Sequence, residues 1–368
     1  MYEDISIILN PYLGKSQNLI EVFAIFGYKE NMLIERGANI IRNQENLEIS
    51  LISSVISDLS SNSFNFKNIR KQIYPEKPKI IKIIDSSPPP KQTSVVCYSC
   101  FDDLEGKSKI IFSCYALRFY EKYIYLPNQT FYVPKAFLIL SQYPYFTTYH
   151  NICQNLLEII NNKNANIPIE LLIYILTNCI PSPIMSNLRI KLFPNKPEIH
   201  IQQLTGYPYA DFDLCKILNI LPINEFIKVY FLIFLEETLL FFSPDLLKLN
   251  LFMFIMNILI YPFNDTMYNW HIKSVNIRDL DDGDDPMTSF RGVNTSYRKN
   301  LNFSNFKSLK YIVDLESKKL QIVFRDTGNH KKQQEFENLN NLVNYIQKIL
   351  NNKRAIINNS AFLAKSIL

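Results

Sequence analysis

Few groups of residues in this 368-residue sequence have the types and spacing that catalysis or metal binding requires. Gly14-Lys15-Ser16 has the form of the end of a phosphate-binding loop, but Leu9 stands where that motif needs a glycine. Cys97 and Cys100 form a single C-x-x-C pair without a second pair of metal ligands, which favours ordinary buried thiols over a zinc or redox site. We therefore predict neither a P-loop nor a metal site.

The acidic residues and histidines also give little support to covalent chemistry. The acidic run 279–285 contains a glycine, but a calcium loop with that glycine at its sixth position would begin at Arg278 and end at Ser289, where acidic ligands are needed. No serine stands in a G-x-S-x-G turn, and the adjacent pair Glu236-Glu237 faces two directions on a predicted helix. We expect no cofactor, so binding or conformational work remains as the function.

Charge and composition narrow the classes of protein further. The net charge of +5 is too small to indicate nucleic-acid binding by itself, and 47% hydrophobic residues are enough for a sizeable core. The 6 cysteines do not make a disulfide scaffold, and the start Met1-Tyr2-Glu3-Asp4 lacks the basic residues of a secretory signal. We therefore expect an intracellular, cytoplasmic protein.

One apolar stretch has to be distinguished from a membrane span. Residues 246–261 are apolar nearly all round, but a helix of this length rises only about 24 Å, short of the roughly 30 Å of a hydrocarbon core. Lys248, Asn250 and Asn257 interrupt it on different faces. We predict a buried core helix and no transmembrane segment.

The first part of the chain has the pattern of an antiparallel meander followed by helices. Residues 19–26 are apolar on both faces, as in a central strand. The runs 94–101 and 108–119 are rich in β-branched and aromatic residues and flank a hairpin turn signal. Residues 151–161 have apolar side chains at helical spacing, namely Cys153, Leu156, Leu157 and Ile160.

A polar insertion at about residues 31–92 interrupts this pattern. We predict a helix at 46–59 and a basic loop or linker at Lys67–Lys91, which ends in three prolines. A solvated insertion is the simplest interpretation of the basic stretch, and a patch for an acidic membrane or nucleic acid is the functional alternative.

The second part of the chain alternates strands with helices, which predicts a largely parallel sheet. We place the boundary between the two parts in the Asn- and Pro-rich segments 162–168 and 181–197. The tail at 336–350 has the spacing of a closing amphipathic helix. The expected strands are 198–204, 238–243, 270–275, 289–294, 310–315 and 319–325, and the expected helices are 211–220, 223–236 and 245–260.

Short pieces of the sequence, in order over about residues 19–323, carry a family pattern. They are Phe131-Tyr132-Val133-Pro134-Lys135, Leu140-Ser141-x-Tyr143-Pro144-x-Phe146, Leu235-Glu236 with Leu240-Phe241-Phe242-Ser243, Leu259-Ile260-Tyr261-Pro262-Phe263 with Trp270-His271-Ile272, Phe290-x-Gly292-Val293-Asn294-x-Ser296 and Ile312-Val313-Asp314-Leu315. Together they resemble the upstream and central segments of the DENN domain family. Pro134 is expected to end a strand, and Ser243-Pro244-Asp245 to start a helix.

The resemblance implies an α/β fold with an α+β first lobe, in the two-lobed DENN architecture. The first lobe, 1–165, would be longin-like with an antiparallel sheet, and the second, 185–325, a three-layer α/β lobe with a largely parallel sheet. Residues 326–368 would be a reduced or truncated helical tail. The implied function is guanine-nucleotide exchange on a Rab-type small GTPase in membrane traffic, without covalent chemistry and with peripheral contact to intracellular membranes.

The resemblance and the predicted sheet together nominate residues that would contact the GTPase. Partners of an open α/β sheet bind outside the carboxyl ends of its strands. Aromatic side chains that are partly exposed also suit an interface core. The nominated residues are Ser243, Asp245, Asn294 and Tyr297 after two strands, and Tyr143 and Tyr145 in the first lobe.

Three other functions remain open at this point. The short C-terminal segment, compared with the long downstream segment of the family, favours a DENN-like scaffold that binds a GTPase or membrane complex without exchange. A GTPase-activating relative would need an arginine at the γ-phosphate, for which Arg291 and Arg298 lie in suitable loops. An unrelated hydrolase would need a nucleophile and a base together in a cleft.

Overall fold

The structure is a computed structural model, and it divides into two compact units, Met1–Asp213 and Leu214–Leu368. Each unit is described by itself. The division between the units, after Asp213, lies C-terminal to the predicted boundary between the lobes at 165–185. The domain limits given by the sequence stay a prediction. The residues described are 18–36, 48–57, 64, 66–74, 77–83, 88–102, 109–126, 129–161, 169–181, 187–191, 198–201, 211, 217–234, 237, 239–245, 247–249, 251–252, 255–256, 290–293, 311–322, 337–338, 340–341, 344–345 and 348.

The first unit is built on an antiparallel sheet in the order β2-β1-β6-β5-β4, with β3 paired to β6. The meander predicted from the sequence is confirmed, and β1 lies between two strands as its apolar run predicts. The strands are β1 (Val22–Gly27), β2 (Ser50–Ile56), β3 (Ile81–Lys82), β4 (Thr93–Asp102), β5 (Lys109–Leu126) and β6 (Gln129–Ser141).

Among its described residues, the first unit also has four helices and a small second sheet. The predicted amphipathic helix is confirmed as α3, because Cys153, Leu156 and Leu157 are buried on one of its faces. The predicted strand 198–204 is present at Ile199–Ile201 as β8, but it pairs antiparallel with β7 in the first unit and not with the parallel sheet to which it was assigned. The helices are α1 (Glu30–Arg36), α2 (Phe66–Ile73), α3 (Phe146–Asn161) and α4 (Ile169–Asn178), and the small sheet is β7 (Leu188–Ile190) with β8 (Ile199–Ile201).

The interpretation of residues 31–92 as a polar insertion is wrong in two places. A strand, β2, occupies the position of the predicted helix 46–59, because serine competes with the helical backbone for hydrogen bonds and β-branched residues favour strands. The basic stretch contains α2 and β3 instead of a continuous loop. Ile69 and Ile73 on α2 are completely buried, and two apolar residues four positions apart among lysines are a weak signal.

Pro134 lies inside β6, so the expectation that it ends a strand is also wrong. On one side of β6, β1 reaches Lys135 and β3 pairs with Tyr132. The carbonyl of Thr130 accepts a hydrogen bond from Ile83, which follows β3, and that of Leu140 accepts one from Glu21, which precedes β1. The backbone N–H and C=O groups of the even-numbered residues of β6 therefore point to this side. Pro134 therefore falls in the gap between the two neighbours, where a missing N–H leaves no ladder bond broken.

The second unit contains a four-stranded sheet in the order β10-β9-β11-β12. Strand β9 pairs parallel with both β10 and β11, and β11 forms an antiparallel hairpin with β12 in which Lys318 has φ of 55°. The elements are α5 (Ile217–Ile220), α6 (Ile223–Phe234), β9 (Leu239–Phe242), β10 (Phe290–Val293), β11 (Tyr311–Asp314) and β12 (Lys319–Ile322).

A helix follows β9 where one is predicted, with helical residues described at 247–249, 251–252 and 255–256. Its side chains Leu249, Phe252, Ile255 and Met256 are buried, which confirms the predicted core position for this part of the stretch. Among the helices described, none combines the length and apolar character needed to cross a bilayer. The predicted strand 270–275, the acidic run 279–285 and Gly14-Lys15-Ser16 lie outside the described residues.

Candidate functional site

Strands β9 and β11 end side by side in the second unit. They are parallel, with Phe242 opposite Asp314, and the N–H of Leu315 continues the ladder to the carbonyl of Phe242 at 2.9 Å. The segments that follow the two strands leave the sheet at the same edge. Open α/β sheets have their binding sites at this position. Five polar side chains meet there, and we call them the strand-end cluster: Ser243, Asp245, Lys248, Asp314 and Glu316.

Asp245 caps the helix that follows β9. Its carbonyl accepts the first helical bond, from the N–H of Leu249, which makes it the N-cap residue. Its Oδ1 accepts the N–H groups of Leu247 at 2.9 Å and Lys248 at 3.2 Å. The predicted helix start is confirmed, with Asp245 and not Ser243 as the cap, and the exposed carboxylate carries charge at the surface.

Ser243 is buried and joins the ends of the two strands. Its Oγ accepts the N–H of Asp245 at 3.1 Å and is within 3.0 Å of Glu316 Oε1, to which it donates. Both of these groups come from turns at the sheet edge, so one hydroxyl holds two turns together. A side chain in this position supports its exposed neighbours and has little surface of its own to offer a partner.

Lys248 and Glu316 form an ion pair across the same edge. The Lys248 Nζ lies 2.9 Å from Glu316 Oε1 and 2.9 Å from the carbonyl oxygen of Leu315. The hydrogen bond from Lys248 is the main cause that lowers the pKa of Glu316, and the Ser243 hydroxyl acts in the same direction. Buried Asp314 accepts the N–H groups of Glu316 and Ser317 on Oδ1, which fixes the turn.

The strand-end cluster has the polar and charged groups that a recognition surface uses. Its charged rim presents the carboxylates of Asp245 and Glu316, whose positions are set by backbone and side-chain hydrogen bonds. In the part of the chain that the structure describes, no group of three His, Cys, Asp or Glu side chains could hold a metal ion. Rigid carboxylates at a surface can accept hydrogen bonds from basic groups of a partner.

Tyr143 and Tyr145 are not partly exposed, and that expectation is wrong. Their exposed fractions are 0% and 2%. The Ser141 hydroxyl donates to the carbonyl of Leu19 and accepts the N–H of Tyr143 at 3.0 Å, and Tyr149 donates its hydroxyl to the Tyr143 carbonyl at 2.7 Å. The pattern S-x-Y-P-x-F therefore builds the start of α3 and turns its aromatic rings inward.

A carboxylate distant in sequence completes the start of α3. Tyr145 is the N-cap residue of α3, because its carbonyl accepts the N–H of Tyr149 at 2.9 Å. Its phenol side chain cannot accept the free N–H groups of the first turn, as a capping carboxylate would. Asp211 does so, and its two oxygens accept the N–H groups of Thr147 at 3.0 Å and Thr148 at 2.6 Å. Burial raises the pKa of Asp211, whereas the hydrogen bonds from Thr148 and Thr147 act against the rise.

His150, in the first unit, takes part in a chain of side-chain hydrogen bonds. Its Nδ1 is 2.7 Å from the hydroxyl of Tyr115, which is itself 2.8 Å from the hydroxyl of Ser94. Burial lowers the pKa of His150 and raises that of Tyr115, so both groups are neutral near pH 7. The Tyr115 hydroxyl stands between Ser94 and the imidazole, so Ser94 does not make the direct contact with a histidine that activates a serine nucleophile.

The structure brings together only some of the predicted site residues. Ser243 and Asp245 share the strand-end cluster, whereas Asn294, Tyr297 and Arg298 lie outside the described residues. Lys248, Asp314 and Glu316 were not predicted as site residues from the sequence. A sequence signal existed for two of them, because Asp314 and Glu316 directly end a predicted strand of the parallel sheet.

Comparison with known proteins identifies a family. Residues 132–277 match the family model of the DENN (AEX-3) domain. The matched segment begins in β6, includes α3, α4, β9 and the Ser243 and Asp245 part of the strand-end cluster, and covers several of the pieces from which the resemblance was drawn. No curated protein matches the chain. The family match confirms, for residues 132–277, the resemblance to the DENN family that was seen in the sequence.

Proposed function

We propose that this chain is a guanine-nucleotide exchange factor that promotes GDP release from a Rab-type small GTPase at intracellular membranes. The observation that carries the proposal is the match of residues 132–277 to the DENN domain, a domain generally associated with Rab exchange. In this proposal the first unit is the longin-like lobe and the second is the three-layer α/β lobe, with the β10-β9-β11 parallel strands as its centre.

In the proposed mechanism, nucleotide release is driven by the binding energy between this chain and the GTPase. An exchange protein that binds the nucleotide-free GTPase more tightly than the nucleotide-bound form must lower the affinity for nucleotide in the same ratio, because the coupling between two ligands is reciprocal. Contacts that hold the switch segments away from the Mg²⁺ and phosphates would supply the preference. Side chains held in place before binding lose less conformational entropy on docking, and the hydrogen-bonded strand-end cluster has this property.

We assign the proposed contacts to the exposed members of the strand-end cluster. Asp245 and Glu316 would accept hydrogen bonds from basic groups of the GTPase, and Ser243 would be a positioning residue. Asn294 and Tyr297, which follow β10 in the sequence, are retained as contacts from the sequence analysis. Tyr143 and Tyr145 would act through α3, whose first turn they shape, because their side chains are buried.

The decisive experiment measures release of a fluorescent GDP analogue from a panel of Rab GTPases with and without the full chain. We expect catalytic acceleration on one or a few of them. Retention on a nucleotide-free GTPase without acceleration would identify the protein as a DENN-like scaffold instead. Absence of both binding and acceleration across the panel would refute the proposal.

Variants at Asp245 separate its charge from its capping role. Asp245→Arg together with Asn294→Arg should abolish GTPase binding, because like charges would face the basic groups of the partner. Asp245→Asn keeps a capping side chain and removes the charge, so we expect about tenfold weaker binding with little change in stability. Lys191→Glu, a charge change on an exposed residue of the first unit, is the control. Unchanged binding by both Asp245 variants would show that the site lies elsewhere.

A further inference from the structure

The end of the β5–β6 hairpin extends beyond the rest of the main sheet. Strand β4 pairs with β5 only as far as Arg118, and β1 pairs with β6 only as far as Lys135. Past these points the hairpin continues to Leu126 and Gln129, accompanied only by the short strand β3 among the described pairings. This hairpin end is thus a projecting feature of the first unit.

One face of the hairpin end carries a continuous group of aliphatic side chains. Directly paired residues share a face, and Ile81 is opposite Tyr132, which is opposite Lys122. The next row joins Ile83, through its N–H bond to the Thr130 carbonyl, with Ile124. We define the hairpin-end patch as Ile81, Ile83 and Ile124 on this face together with Leu126, which follows a register shift at the end of the hairpin.

The hairpin-end patch is unusually exposed for its composition. The exposed fractions are 38% for Ile81, 59% for Ile124 and 48% for Leu126, and Ile83 is half-buried. In contrast, the odd-numbered neighbours Tyr123 and Tyr125 pack against the core. Grouped apolar side chains at a surface mark an interaction site more often than single ones do.

The two segments that build the hairpin-end patch carry mostly positive charge. The segments that build it, 77–83 and 119–133, contain four exposed lysines, at positions 77, 79, 82 and 122. Their one carboxylate, Glu121, forms an ion pair with Lys135. Long lysine stems can lie along an apolar surface while their ammonium groups reach outward.

This combination fits a lipid surface better than a protein partner. The cores of protein interfaces are enriched in aromatic residues, Met and Arg and depleted in Lys, whereas the patch has only Ile and Leu with lysines around them. Anionic headgroups attract lysines, and aliphatic side chains enter the boundary of the acyl chains. We propose that the hairpin-end patch inserts into the surface of an anionic membrane, with Lys122, which shares its face, bound to the headgroups and Lys82, on the other face of the edge strand, adding to the attraction.

The test is co-sedimentation of the full chain with phosphatidylcholine vesicles, with and without about one quarter phosphatidylserine. We expect binding to the anionic vesicles and little binding to the neutral ones. Lys82→Glu with Lys122→Glu should weaken binding more than twentyfold, because each lysine near such a surface contributes a factor of about five. Ile124→Asn with Leu126→Asn should weaken it at least tenfold, since two inserted aliphatic side chains are lost.

Matched controls make the result specific to the hairpin end. Leu171→Asn with Ile175→Asn makes the same kind of change on exposed residues of α4, and Lys191→Glu with Lys348→Glu makes the same charge change elsewhere. The proposal is overturned if the wild-type chain does not bind anionic vesicles, if neutral vesicles bind equally, or if the controls lose as much. It is also overturned if the asparagine pair binds normally, because lysines alone would then act. The assay contains no GTPase, so its outcome is independent of the proposed exchange activity.

Discussion

Two serine hydroxyls have the same structural role at the ends of two different strands. Each Oγ accepts the N–H of the residue two positions later, a short serine turn that changes the direction of the chain before a helix. Each also donates to an oxygen far away in sequence, the Leu19 carbonyl for Ser141 and the Glu316 carboxylate for Ser243. One side chain therefore fixes both the local turn and a contact between distant parts of its unit.

The helix start at Ser243–Asp245 could be predicted from the sequence, because a helix cap is formed by residues that are close together in the chain. It could not predict that Lys248 and Glu316 meet, because 68 positions separate them and only the parallel pairing of β9 with β11 brings them together. The burial of Tyr143 and Tyr145 was missed for a different reason. A tyrosine suits a core or an interface equally well, and the sequence does not say which side its ring faces.

Replacement of Ser141 tests the serine turn of the first unit. Ser141→Ala removes both hydrogen bonds and leaves the Leu19 carbonyl and the Tyr143 N–H unsatisfied in a buried site, so we expect a loss of about 1–3 kcal/mol in the free energy of unfolding. Urea denaturation of the full chain provides the measurement. Ser53→Ala on the exposed part of β2 is the control, and equal losses for the two variants would contradict the assigned role.

At the scale of elements, apolar patterning predicted the interior of the first sheet and failed at its edge. Strand β1 is apolar at nearly every position because it is covered on both faces, and such a run is unambiguous. Strand β2 lies at the end of the strand order and is half exposed, so only part of its sequence is constrained by burial. The same holds for α2, where two isoleucines carry the contact with the core and charged residues fill the rest.

Helix α2 should therefore contribute to stability, although its sequence suggests a basic linker. Ile73→Ala removes a fully buried side chain and should lower the free energy of unfolding by about 2–5 kcal/mol. Lys71→Ala, an exposed position on the same helix, should change it by less than about 0.5 kcal/mol. Thermal and urea denaturation would measure both. If Ile73→Ala were as neutral as Lys71→Ala, the residues 67–91 would indeed be a solvated linker.

At the scale of the whole molecule, the two units are built on sheets of different kinds. The main sheet of the first unit is antiparallel, and a hydrophobic core cluster draws all its members from residues 22–140. The sheet of the second unit is parallel at its centre and is closed by the β11–β12 hairpin. A hydrogen bond between β12 and α6, from the Leu320 N–H to Glu225 Oε2 at 3.0 Å, ties that hairpin to the helix before the sheet.

These separate cores predict that residues 1–213 fold alone. The fragment retains the six-stranded sheet, the core cluster and the Asp211 carboxylate that caps α3, so every interaction described for the first unit is present in it. We expect a single cooperative urea transition, and we expect Ile73→Ala to destabilise the fragment as much as it destabilises the first unit of the full chain. Val313→Ala, a cavity in the core of the second unit, is the control in the full chain and should leave the transition of the first unit unchanged. A fragment without a cooperative transition, or a first unit that responds to Val313→Ala, would mean that the two units fold as one.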